Sequence, residues 1–189
     1  MTNNSIWKFT LSNHNEIKSK MLDVIENYEQ VNKCPDESTK ISKTDFYDKL
    51  EPKGYYNILQ EGLSPLWTAI SERYWSSTFN NPWIWFQQYY RNDWHGWHMH
   101  GNSNISMSYF LELPDPKYST EFVDIEGNKV FQLDASEGDV VIFPSFTIHR
   151  APIIESDIRK TTIAINLNLG EPDLDKVNLI DPILNNDRS

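Results

Sequence analysis

The chain has a single cysteine, Cys34, so it can form no intrachain disulfide and no cysteine-based metal cluster. No stretch approaches the ~18 consecutive apolar residues that a membrane span requires. Met1–Thr10 lacks the basic flank and apolar run of a signal peptide. Positive charge is scarce: 17 Lys and Arg face 27 Asp and Glu, for a formal net charge of −10 and a pI near 4.9. Nucleic-acid binders need a basic face to displace counterions, so DNA and RNA are disfavoured partners. There is no internal repeat, no low-complexity tract and no H-E-x-x-H motif, which argues against a zinc hydrolase. These absences lead us to expect a cytoplasmic protein with no membrane segment. What is abundant is aromatic surface: 13% of residues, with seven Trp among 189 residues, enough to pack one globular core.

The first third reads as helical support. Ile17, Met21, Ile25 and Tyr28 recur at helical spacing after Ser12 and Asn13, which can cap orphan amides. Asn32 to Lys43 is polar, contains Pro35, and reads as an exposed loop. Ser64-Pro65 predicts the start of a second helix, with Leu66, Trp67, Ile70 and Tyr74 on its buried side. From Trp83 the pattern turns to strands: Trp83 to Tyr90, Ile105 to Leu113, Val140 to Phe143 and Thr161 to Leu169. Glu121 to Leu133 predicts a hairpin turning at Glu126-Gly127-Asn128. The expectation is a mainly β fold with flanking helices, an antiparallel sandwich or barrel. We expect one domain over 1–189: helical support in 1–80, the β core in 81–170 and an acidic tail in 171–189.

Four of the five histidines lie at strand-like positions beside aromatic residues: His95, His98, His100 and His149. His14 stands apart and reads as a surface or capping residue. Strand side chains alternate, so His98 and His100 point one way and Met99 the other. Two imidazoles on one face are a natural ligand pair, and His149, just after a strand, can supply a third. His95 has the other parity unless Gly96 breaks the strand. An H-x-H pair alone is a weak signal, because two histidines in one strand often have no metal role.

The stretch Asp93-Trp94-His95-Gly96-Trp97-His98-Met99-His100-Gly101-Asn102-Ser103-Asn104-Ile105-Ser106, leading to Tyr109-Phe110-Leu111, resembles a branch of the 2-oxoglutarate/iron(II) oxygenase superfamily. Gly138 to Ser145, four residues ahead of His149, resembles its second motif, and Arg159 to Asn166 its final strand. The likeness covers Trp83 to Asn166, about half the chain.

The resemblance implies a double-stranded β-helix (a cupin-like jelly roll) that uses Fe(II) and the cosubstrate 2-oxoglutarate. His98, His100 and His149 would be metal ligands and catalytic residues. His100 would occupy the position that most of the superfamily fills with Asp or Glu, leaving the ion about one charge more positive. Were His100 outside the ligand set, the third position would be open, as halogenase-like chemistry needs, or filled by water or Asp93. Arg159 and Lys160 both remain candidates for the distal carboxylate of the cosubstrate. Arginine offers a bidentate fork, whereas Lys160 shares strand parity with Thr162, Ala164 and Asn166. Tyr90 and Tyr109 would donate hydroxyls to the cosubstrate, and Asn104 and Ser106 would line its pocket. Phe110 stands where relatives often carry a second tyrosine.

The expected function is a dioxygenase that hydroxylates a small-molecule or peptide substrate. Two rivals stay open: a three-histidine cupin-like metalloenzyme that does not use 2-oxoglutarate, and a metal-free jelly-roll binding module.

Overall fold

The computed structural model describes residues 5–28, 38–48 and 53–180. Two antiparallel sheets lie face to face as a jelly roll. The larger has the order β1 (Trp7–Thr10), β9 (Asp139–Pro144), β6 (Ile105–Glu112), β11 (Lys160–Leu167), β4 (Trp83–Tyr89), β3 (Lys43–Thr44). The smaller has the order β2 (Thr39–Lys40), β5 (Trp94–His98), β10 (His149–Ala151), β7 (Glu121–Asp124), β8 (Lys129–Gln132). The expected mainly β architecture with flanking helices is the one observed. Cys34 and Pro35 lie outside the described residues.

Both faces of the larger sheet are buried, and its alternation sorts two kinds of residue. Ile84 and Phe86, Ile105, Met107 and Tyr109, Val140 and Ile142, and Ile163 and Ile165 face the helices α1 (His14–Glu26) and α2 (Gly54–Tyr74). The alternate residues face the smaller sheet, where Tyr89, Phe110, Val141 and Phe143 meet Phe122 in a second cluster. That inner face also carries polar side chains (Gln87, Ser106, Ser108, Lys160, Thr162, Asn166), all buried. Polar groups are costly to bury without partners, so their concentration on one inner face makes it the candidate place for a bound ligand.

Several expectations from the sequence change. Helix α2 begins at Gly54, not at Ser64-Pro65, and Pro65 sits inside it. Tyr55, Leu59, Leu63, Leu66 and Ile70 form one buried stripe, while Ser64 and Pro65 lie on the exposed face. There water can satisfy the carbonyl that proline leaves without a donor. Asn13 makes no side-chain cap on α1. His14 is not a surface residue: it is buried, and its Nδ1 lies 2.7 Å from the Tyr109 hydroxyl. The region before residue 80 also contributes three strands, and the tail carries a short helix, α3 (Leu174–Ile180). The predicted hairpin forms, with Asp124 opposite Lys129 and Asn128 at φ 49° in its turn.

Candidate metal centre

Strands β5 and β10 pair so that His98 lies directly opposite His149. His100 follows two residues beyond, its backbone N–H held by the Ser145 carbonyl at 2.8 Å. The potential ligand atoms of the three rings lie within 4.8 Å of one another. Small ring rotations would let one ion with bonds of about 2.1 Å bridge them. His95 joins the same side because the β5–β10 register shifts between its pairs: His149 faces His98, but Ala151 faces His95. This irregularity around Gly96 cancels the opposite parity, and the His95 ring stacks on His98 at 3.9 Å and 17°.

The tautomers are fixed by what each Nδ1 touches. His98 Nδ1 is 2.7 Å from the Gly96 carbonyl oxygen and His149 Nδ1 is 2.9 Å from that of Thr147. His100 Nδ1 is 2.8 Å from Asn166 Oδ1, which also accepts from Ser106 Oγ at 2.8 Å. A carbonyl oxygen can only accept, so each Nδ1 carries the proton and each Nε2 keeps its lone pair. Burial pushes all three imidazoles toward the neutral form, with His149 down to about 2 under burial and the neighbouring His98. Neutral rings with free lone pairs suit a divalent cation, which need not displace protons to bind. Hydrogen bonds that orient a ligand commonly carry a 10–100-fold effect on metal affinity. Asn166→Ala is therefore expected to weaken metal binding by about that factor in a chelator competition, and Asn166→Asp, which keeps an acceptor, to retain it.

A narrow cavity runs from the three histidines to Lys160 between Gln87, Tyr89, Ser108, Thr120 and Phe143. Lys160 is 1% exposed, with Nζ 5.1 Å from the Tyr89 ring centre and 5.6 Å from that of Phe110. Burial draws its ammonium down to about 7, against the upward pull of Glu121. Next along the inner face, Thr162 Oγ1 is buried and has no hydrogen-bond partner among the described residues. A buried lysine beside such a hydroxyl, at the far end of a cavity from the histidine cluster, would suit a ligand that chelates at one end and is anionic at the other.

The other candidates, Ser106 apart, fall elsewhere. Arg159 turns outward into a fork with Glu112 (2.8 and 2.7 Å) and a pair with Glu26 (2.8 Å), which hold its guanidinium above the ordinary range. Tyr90 lies past the end of β4, 42% exposed, and its hydroxyl serves Arg159. Tyr109 faces the helices, where burial and Glu137 push its phenol up. Asn104 accepts from the Leu169 amide at 2.9 Å in an exposed loop. Ser106 is inside, bonded to His100 and Asn166. Asp93 accepts from the Tyr90 amide at 2.9 Å and from the Ser42 hydroxyl, away from the cluster. Sequence reasoning passed over Tyr89, Trp85 and Gln87, although the alternation of β4 against Ile84 and Phe86 identifies them.

Arg159→Ala is expected to lower stability by about 1 kcal/mol, as for a partly exposed ion pair; were 2-oxoglutarate the cosubstrate, its affinity should not change. Thermal melts and a binding titration check both.

No protein-family model and no curated protein matches this sequence. Solved structures do match. A Pseudomonas putida prolyl-4-hydroxylase aligns at TM-score 0.64 and 9% identity, over 89% of this chain and 95% of that one. The viral collagen prolyl hydroxylase of Paramecium Bursaria Chlorella virus-1, solved as a 2OG complex, aligns at 0.62 and 8%, over 87% and 96%. A Trichoplax adhaerens prolyl hydroxylase bound to a hypoxia inducible factor peptide fragment aligns at 0.63 and 12%, over 95% and 88%. Together these likenesses show that the chain has the jelly-roll fold of these prolyl hydroxylases, and its own three-histidine cluster could hold a metal ion.

Proposed function

We propose that the protein is an Fe(II)- and 2-oxoglutarate-dependent dioxygenase that hydroxylates a substrate entering beside His95 and Trp85. The observation that carries this reading is the pairing of three free imidazole lone pairs with a buried lysine across one cavity. Bound Fe(II) with 2-oxoglutarate and dioxygen would supply the oxidation, giving succinate, carbon dioxide and a hydroxylated product.

The chain's own part is positioning. His98, His100 and His149 would present Nε2 from one side of the ion, leaving the opposite side for cosubstrate and oxygen. Lys160 and the Thr162 hydroxyl would hold the distal carboxylate. Tyr89, Phe110 and Phe143 would exclude water, which strengthens that pairing. Arg159 is set aside for this role because its donors are engaged by two glutamates.

The test is succinate release from 2-oxoglutarate in air by iron-loaded protein. Release that needs iron and is lost with a chelator supports the reading, and none above the iron-only control would refute it. The absence of a carboxylate among the three clustered ligands favours one rival, a three-histidine metalloenzyme that does not use 2-oxoglutarate. That rival predicts stoichiometric metal but no effect of 2-oxoglutarate upon it.

A further inference from the structure

Outside the histidines the inner cavity opens into a wider chamber of about 400 Å3, within the size range of small-molecule sites. The chamber reaches the reaction centre directly, since His95, His98 and His100 form its floor. One wall is a continuous aromatic surface. Phe46 lies 5.0 Å from Trp83 and 5.2 Å from Trp85, and the two tryptophans are 4.8 Å apart. Rings packed this closely make a wall and not an open cage, so no cation can sit between them. Its outer rim, Trp83 and Tyr47, is 44% and 51% exposed.

Among the described residues no Asp, Glu, Lys or Arg lines the chamber, although the chain as a whole is rich in acid. An ionised substrate group packed on this wall would lose its water and meet no oppositely charged side chain among the described residues. One polar group does ask for a partner. Trp85 is 3% exposed, its ring 5.9 Å from that of His100, and its indole N–H has no acceptor among the described residues.

Resting on the oxygenase reading above, we infer that the substrate inserts an uncharged, flat apolar group bearing a neutral hydrogen-bond acceptor, packed on the Trp83–Trp85 wall. Free amino acids and other small zwitterions are thereby disfavoured, because their charged groups would lie in the chamber.

Three ligands with one ring and different ends test this: phenylacetamide, phenylacetate and phenethylammonium. Their binding to the full, metal-free chain is read by ligand-observed NMR, and only binding lost in Trp83→Ala is counted. The substitution removes a half-exposed ring, and an unchanged circular dichroism spectrum confirms the variant is folded. We expect phenylacetamide to bind at least tenfold more tightly than either charged ligand. We also expect Trp85→Phe, which keeps a ring and removes the N–H, to weaken it several-fold. Equal or tighter binding of a charged ligand, no binding of the amide, or amide binding that survives Trp83→Ala would overturn the inference. Because no metal is used, failure here is separate from failure of the oxygenase reading, which the succinate assay decides.

Discussion

Replacing His149 with alanine is expected to abolish metal-dependent turnover and to weaken Fe(II) binding by roughly 100-fold or more, beyond the 10–100-fold typical of groups that only orient a ligand. His149 is 5% exposed and stands directly across from His98, so its Nε2 has no substitute nearby that holds the same position. His95 is the only other imidazole at the cluster among the described residues, and it stacks on His98, not beside His149. The fold should survive. Burial keeps His149 neutral, so its removal strands no buried charge, and the Phe122 and Phe143 rings beside it continue to fill the core. Loss of turnover with an unchanged circular dichroism spectrum is the predicted pair of results. Retained turnover would remove His149 from the centre.

The second large effect belongs to Lys160. Lys160→Met keeps the length and packing of the side chain and removes the charge. If the ammonium pairs with the distal carboxylate, a charge-assisted bond of about 1.5–3 kcal/mol is lost, and 2-oxoglutarate should bind roughly tenfold to a hundredfold more weakly. The pH dependence follows from the buried ammonium, drawn down from 10.5 to about 7. Only the protonated form attracts the anion, so wild-type affinity should be greatest below about pH 7 and decline as pH rises. The methionine variant should lack that decline.

Stability moves differently. Between about pH 7 and pH 10.5 the unfolded chain holds a proton on Lys160 that the folded, ligand-free chain has released. Its contribution is therefore least adverse above 10.5, and stability is lost as pH falls toward 7. Lys160→Met should thus melt at or above the wild-type temperature, with its advantage largest below pH 7 and fading in alkali. A variant that binds 2-oxoglutarate normally would remove Lys160 from the cosubstrate site.

Much of this was legible in the sequence, and the reasons for the rest are physical. The strand runs of β4, β6, β9 and β11 announced themselves through β-branched and aromatic residues. The H-x-H spacing placed two imidazoles on one face without any structure. Which face of β6 looks inward was not legible, because both faces are buried. The usual rule of apolar inside inverts there: Ile105, Met107 and Tyr109 serve the helix layer while Ser106 and Ser108 line the site. Tyr109 consequently stands with His14, and Tyr89 is the tyrosine beside Lys160. Parity did favour Lys160 over Arg159, but side-chain chemistry favoured arginine. Only the glutamates at positions 26 and 112, distant in sequence, resolve why Arg159 turns away. His95 depended on a register shift that depends on its neighbours in β10, and no single-strand pattern reveals it. Ser64-Pro65 imitates a helix start inside α2 because proline is favoured in the first turn of a helix. Its stripe from Tyr55 to Ile70 shows that an exposed proline is tolerated in the interior.

The proposed chemistry requires three imidazole nitrogens to hold one ion while leaving adjacent positions for a chelating anion. Anaerobic Fe(II) titration, repeated with 2-oxoglutarate, addresses that directly. The predicted result is one iron per chain, a weak visible charge-transfer band that appears only when 2-oxoglutarate is added, and loss of both in His149→Ala. Iron that binds without stoichiometry, or a stoichiometric site whose spectrum 2-oxoglutarate leaves unchanged, would contradict it.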